Sequence, residues 1–291
     1  MWLLAILALA WPPSARYVAV APAESVWVEV AGQGDAVVLV PGLAASACSY
    51  RHVASRLRVD GYRTVVIEPL GIGRSSRPGR ADYSLTAQSD RIAAVLDTLG
   101  ESGVVLVAHS ISASMALRLA YRRADLVRAV VTLDGDAAES AATPSLRRAL
   151  RFAPLLRLLG GRGKVRSELA SSLRECSGDA SWVTDSVVDC YTGPIVADVG
   201  RALGAFRAMA RAREPQRLAD NLHLIRIPVL LIHGGAPGKQ TGIRLPQIEA
   251  LRSHLPQLAV ETLPGVGHYV HEEQPDAVAA AIERIARVAG R

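Results

Sequence analysis

The stretch Val107-Ala108-His109-Ser110-Ile111-Ser112 sets a serine hydroxyl at the junction of two apolar runs. Residues 104–108 are continuously apolar, the pattern of a strand buried on both faces. Residues 112–121 have helical spacing and are apolar nearly all round, as in a buried helix. A serine on so sharp a strand-to-helix turn is lifted clear of the sheet. Larger residues two positions either side would strike neighbouring backbone, so the usual form is G-x-S-x-G. Here Ala108 and Ser112 fill the small positions. The helix N-terminus favours a developing anion, and the backbone N–H of Ile111, the next residue, is a natural donor to it. That chemistry is nucleophilic attack by Ser110 on an acyl carbon. The bland alternative is that Ser110 only caps the helix.

A serine hydroxyl attacks poorly until a base takes its proton. The chain has seven histidines. His109 stands inside the serine motif and either lines a pocket or packs. His52, His223, His233 and His254 belong to no motif and are expected to be structural, and His271 to be solvated or structural.

The elements that would position such a site alternate in type. Strands are expected at 16–20, 26–30, 36–40, 63–68, 104–108, 126–133, 227–232 and 258–263. Helices are expected at 50–59, 86–99, 112–121, 245–255 and 275–288. Strands alternating with helices predict right-handed crossovers and a mostly parallel sheet with helices on both faces. Residues 137–222 break this rhythm: they are helical, Arg-rich and punctuated by Gly160-Gly161, Gly178 and Gly193-Pro194.

Several landmarks arrive in a recognisable order. Leu39-Val40-Pro41-Gly42-Leu43 follows the third strand. Glu68-Pro69-Leu70-Gly71-Ile72-Gly73-Arg74-Ser75 has the form D-x-x-G-x-G-x-S, with Glu at its head. Gly265-Val266-Gly267-His268 is followed by Glu272, Gln274 and Pro275. Together with the Ser110 motif, these make the chain resemble the α/β-hydrolase family from about residue 16 to the C-terminus. The resemblance implies an eight-stranded, mostly parallel sheet and an inserted helical cap. It divides the chain into an apolar N-terminal segment (1–15), a first core part (16–136), a cap (137–222) and a second core part (223–291). It makes His268 the general base, with Ile111 and Leu43 supplying the two oxyanion-hole N–H groups.

The third member of such a triad is harder to place. The family usually takes it from the loop after the seventh strand, as G-x-x-D. Here that loop reads His233-Gly234-Gly235-Ala236-Pro237-Gly238-Lys239, with Pro237 where Asp is expected. Some members use the end of the sixth strand instead, where this chain has Asp134-Gly135-Asp136. Asp134 directly follows the apolar run, at the carboxyl edge of the sheet where sites collect. Asp134 is the expected acid, with Asp136, or no acid at all, left open.

Composition narrows the remaining classes. Half of the 291 residues are hydrophobic and 21% are charged, which supports a large core and argues against disorder. The net charge of +6 invites a nucleic-acid reading, but the basic residues do not form a stripe interleaved with aromatics. The densest group is Arg147, Arg148, Arg151, Arg157, Arg162, Lys164 and Arg166. It reads as a solvated helical face, with attraction to an anionic membrane or an acidic substrate as the sharper alternative. Residues 1–11 are apolar but fall short of the ~20 needed to span a bilayer, and they resemble a signal-peptide core. Export, membrane association and a cytoplasmic location all stay open. Cys176 and Cys190 are close in sequence and could form a disulfide in an exported protein, the alternative being two buried thiols; the odd count leaves Cys48 unpaired.

The expected function is hydrolysis of a carboxylic ester or related acyl bond through an acyl-serine, with no metal or organic cofactor. Leu155, Leu156, Leu158 and Leu159 in the cap suggest a small-molecule substrate with a hydrophobic acyl or alcohol group. The rivals are a relative with other chemistry (C–C hydrolase, thioesterase or lyase) and a non-catalytic ligand-binding relative. An epoxide or halide hydrolase is disfavoured, because those relatives attack through Asp.

Overall fold

The computed structural model describes residues 14–142, 150, 161–237 and 243–290. Residues 1–13, the arginines 147, 148, 151 and 157, the leucines 155, 156, 158 and 159, and Gly238-Lys239 lie outside them.

Strands β1 (Ser14–Ala21) and β2 (Glu24–Ala31) form a hairpin. β3 (Ala36–Val40), β4 (Arg63–Glu68), β5 (Val104–His109), β6 (Val127–Leu133), β7 (Val229–Gly234) and β8 (Leu258–Leu263) follow. They make one eight-stranded sheet of order β1-β2-β4-β3-β5-β6-β7-β8. β1–β2 and β2–β4 pair antiparallel, and every other pairing is parallel. β3, β5 and β7 are buried at every position. Helices cover both faces of such strands, so an unbroken apolar run replaces the in–out alternation of a half-exposed sheet.

Each central strand feeds two cores in alternation. Val38, Val40, Leu106 and Ala108 point to one face, beneath α2 (Leu85–Leu99) and α3 (Ser112–Arg122). Val37, Leu39, Val105 and Val107 point to the other, beneath α1 (Arg51–Val59) and the C-terminal helix Pro275–Ala289. One element begins later than its apolar pattern suggests. Ile227 precedes Pro228, which has no N–H to give a ladder, so β7 starts at Val229 and runs on through His233 and Gly234.

Between β6 and β7 the described residues form α4 (Gly161–Glu175), α5 (Asp185–Ala197), α6 (Val199–Arg211) and a 3-10 turn at Ala219–Leu224. α4 and α5 build a small core of Ala170, Leu173, Val183, Val187, Val188 and Tyr191, which reaches the main body through Ala45 and Tyr269. The Cys176–Cys190 pairing is corrected here. The disulfide joins Cys48 to Cys190, with Cα atoms 6.4 Å apart, and Cys176 keeps its thiol. Cys48, 142 residues from Cys190 in sequence, is brought beside α5 by the 3-10 turn Ala47–Tyr50. After β7 come α7 (Leu245–His254), α8 (Val270–Glu273) and α9 (Pro275–Ala289). Among the described residues no helix is long and apolar enough to cross a membrane.

Candidate active site

Ser110 follows the last residue of β5 at φ +56°, and α3 begins two residues later. A non-glycine residue in the left-handed region costs about 1–3 kcal/mol and persists only where its surroundings impose it. The surroundings are visible. Ser110 N–H donates to Leu133 O at 2.9 Å, tying the turn to β6, and Ser110 O accepts from Ala113 N at 3.0 Å. A Cβ on Gly135 would stand 2.2 Å from Ser110 O, and one on Gly42 would stand 3.1 Å from Ser110 Cβ. The turn is therefore boxed in by two glycines from neighbouring loops. Ser112, one of the two small flanking residues, is fully buried and donates its hydroxyl to Pro41 O at 2.7 Å. That bond fixes the loop Pro41-Gly42-Leu43 against the start of α3. Sequence reasoning weighed Ser112 for its size alone.

His268 lies between β8 and α8. Its Nδ1 is 2.5 Å from Asp134 Oδ2. Asp134 is fully buried just past the end of β6, at φ +47°, and its N–H donates to Ile232 O at 2.8 Å. Asp is among the few non-glycine residues that enter the left-handed region with some frequency. Asp136 turns the other way: its Oδ2 accepts from Gln247 Nε2 on α7, and burial raises its pKa. An ionised carboxylate only accepts, so a neutral His268 ring in this contact carries its proton on Nδ1 and leaves Nε2 unprotonated. Among the described residues no hydrogen bond joins the Ser110 hydroxyl to His268. Such contacts are often long in unliganded sites and tighten with substrate.

Two further histidines pack behind the site. His109, buried at the end of β5, lies 4.6 Å from the His268 ring and 4.5 Å from that of His271, centroid to centroid. Its Nε2 lies 3.1 Å from His268 O. A carbonyl can only accept, so that nitrogen carries the proton. Burial holds the His109 pKa well below its usual value, and His271 and His268 add to the effect. His271 is also buried, not solvated, and stacks at 5.0 Å on Tyr50. Burial first, then His268 and Arg51, push its pKa down to about 3. Both rings are neutral at neutral pH. His233 is satisfied structurally through Gly234 O and Thr262 Oγ1.

Leu43 is half-buried, next to Ala44 at φ +60°. Ala44, Ser110 and Asp134 are three of the four non-glycine residues with positive φ among the described residues, the fourth being Ala23. Leu43 and Ala44 join Leu169, Ser172, Leu173, Tyr191 and Tyr269 around a cavity of about 110 Å³. Its walls come from the loop after β3, from α4 and α5, and from the residue after His268. Among the described residues no group of three or more His, Cys, Asp or Glu side chains is arranged to hold a metal.

The comparisons with known proteins bear on this geometry. A 2-(acetamidomethylene)succinate hydrolase of Mesorhizobium japonicum is 27% identical over 255 residues, covering 86% of this chain and 87% of its own length. An sn-1-specific diacylglycerol lipase of Mus musculus is 24% identical over 251 residues, covering 82% and 77%. The solved structure of a thermophilic esterase from Thermogutta terrifontis superposes with a TM-score of 0.74 at 21% identity, covering 96% of this chain and 99% of that one. The relatives are hydrolases of small molecules, and at this identity the solved structure speaks to the fold. The sequence profile of the alpha/beta hydrolase fold matches residues 35–275, and the chain belongs to that family.

Proposed function

We propose that the protein is a serine hydrolase that cleaves a carboxylic ester, or a related acyl bond, through an acyl-Ser110 intermediate. The observation that carries this reading is the 2.5 Å contact between His268 Nδ1 and Asp134 Oδ2. With Nδ1 engaged by Asp134, Nε2 is the ring nitrogen free to act as a base toward Ser110. In the first step His268 takes the Ser110 proton as Oγ bonds to the carbonyl carbon. The oxyanion is met by the N–H groups of Ile111 and Leu43, each such donor being worth about 3 kcal/mol of barrier. His268, now imidazolium stabilised by Asp134, returns the proton to the leaving alcohol. Water, activated by the same base, then releases the acid and restores Ser110.

The described helices between β6 and β7 are read as a cap over the site. The adjoining cavity, lined by Leu43, Ala44, Leu169, Ser172, Leu173 and the two tyrosines but not by Ser110 or His268, has a mainly apolar wall that suits an acyl or alcohol group. The named relatives act on a lipid ester and on an acetamido-substituted diacid, and both are compatible with acyl transfer to Ser110. The test is release of p-nitrophenol from short- and medium-chain acyl esters. Turnover by wild type that vanishes in Ser110→Ala supports the reading. Neither turnover nor a burst from wild type would point to a binding protein or to other chemistry.

A further inference from the structure

The contact between His268 and Asp134 is only as good as the placement of the loop that carries His268. That loop is held largely by backbone. His268 N–H donates to Cys176 O at 2.7 Å, and the preceding Gly267 N–H donates to Glu273 Oε1 at 2.9 Å. The other oxygen, Glu273 Oε2, accepts from Gly178 N and Asp179 N, both at 2.9 Å. Residues 176–179 form the turn that follows α4, the first described helix between β6 and β7. One carboxylate thus bridges two backbone segments, with one oxygen on the histidine loop and the other on the turn.

The approach is closer than side chains would permit. A Cβ on Gly267 would stand 2.2 Å from Cys176 O, and one on Gly178 would stand 1.8 Å from Gly265 O. Both positions must be glycine for the two backbones to meet. The turn is also braced from its other side. Ser177 Oγ donates to Leu173 O at 2.7 Å and accepts from Trp182 Nε1 at 3.1 Å. The neighbouring Glu272 uses its side chain for a separate link, accepting from Arg51 at 2.7 Å and from Tyr191 of α5 at 2.8 Å.

We propose that Glu273 is a positioning residue, setting His268 against Asp134 and coupling that geometry to the helical segment over the site. The proposal rests on the serine-hydrolase reading for its kinetic consequence, but the geometry it asserts can be measured without catalysis. All three partners are N–H donors, so both oxygens must accept. Glutamine keeps the length, yet its amide N–H₂ would face a backbone N–H on one side and lose that half of the bridge. Aspartate keeps the charge but is one methylene short of spanning both segments.

The experiment compares wild type, Glu273→Gln, Glu273→Asp and, as a surface control, Glu249→Gln. Glu249 is an exposed partner of Arg252 on α7 and makes none of these contacts. The first readout is proton NMR of the far-downfield Nδ1–H resonance of the His268–Asp134 pair. The second is the split between kcat and KM on p-nitrophenyl butyrate. In Glu273→Gln the resonance should broaden or disappear, and kcat should fall about 10- to 100-fold with KM little changed, as expected for a base moved by a fraction of an ångström to about 1 Å. Glu273→Asp should recover part of both, and Glu249→Gln should match wild type. An unchanged resonance in folded Glu273→Gln overturns the proposal. So does loss of folding in both Glu273 variants, which would make the residue a determinant of folding and not of position. If wild type shows the resonance but hydrolyses no ester, the serine-hydrolase reading fails while the positioning claim is still decided by the resonance.

Discussion

Asp134 Oδ2 and His268 Nδ1 meet at 2.5 Å, a contact in which the ring N–H donates to the carboxylate. Asp134→Asn would put an amide where that N–H must donate, favouring the wrong tautomer. On the proposed mechanism kcat should fall by about 10³–10⁴ with KM changed little. Steady-state kinetics check this, and a loss of less than tenfold would remove Asp134 as the acid. The proposed acid was only partly legible in the sequence, because the end of the sixth strand offers two aspartates with a single residue between them. What separates them is a backbone angle, φ +47° at Asp134, and the partner Gln247 that takes Asp136. Glu273 was not legible at all. Its three partners are backbone N–H groups, which every non-proline residue has, and two of them lie 94 and 95 residues away. The only letters that hinted at the close approach are Gly178 and Gly267. Position 42 gives a second test at this scale. A Cβ there would stand 2.8 Å from His109 Nδ1, so Gly42→Ala should push on the Ser110 turn and lower kcat. A thermal melt alongside the kinetics would separate a local effect from unfolding.

At the scale of elements, the helical segment is fastened to the sheet at identifiable points. Arg118 of α3 is completely buried. It holds Glu139 at 3.1 Å, where the segment leaves β6, and Glu214 at 3.3 Å, where the chain heads back toward β7. Glu214 also accepts from the N–H groups of Leu85 and Thr86 at the start of α2. Removing one member of a buried ion pair leaves uncompensated charge, so Arg118→Ala should cost about 3–5 kcal/mol in denaturant unfolding. A cost under 1 kcal/mol would mean that the knot contributes little. The Cys48–Cys190 bond is a second fastening, and a loop of its length constrains the unfolded chain by about 5 kcal/mol in the chain-entropy model. Reduction with a dithiol should therefore lower Tm by at least several degrees. An unchanged Tm, with thiol titration proving reduction, would deny the bond that role. The sequence suggested Cys176 as the partner because it is near in the chain. The fold instead brings Cys48, from the loop after β3, beside α5.

Across the whole molecule, most of the architecture was legible. The run at 104–108 read as a parallel strand because it is buried on two faces and so lacks alternation, while 36–40 read as a short apolar run and 126–133 as the next strand. The two cores formed by Val37 and Val38, Leu39 and Val40 are that pattern in three dimensions. What composition could not show is that histidines, usually a surface or site residue, are part of the packing. His109 and His271 are buried and neutral, His271 with a pKa near about 3. In the unfolded chain each takes up a proton near pH 6.5, so the unfolded state binds more protons below that pH and stability falls on acidification. The expected slope is about 1.4 kcal/mol per pH unit for each histidine, below pH 6.5 and until the carboxylates also titrate near pH 4.5. Urea unfolding from pH 7.5 to 5 measures it. His271→Leu should shed one histidine's share of the slope, and a wild-type stability flat across that range would contradict the buried neutral pair.

Whether Ser110 is an activated nucleophile is decided by intact-protein mass spectrometry after exposure to a fluorophosphonate. One adduct per chain is expected, mapped to Ser110, absent from Ser110→Ala and formed far more slowly in Asp134→Asn. No adduct on folded wild-type protein, or an adduct that persists in Ser110→Ala, would contradict that role for Ser110.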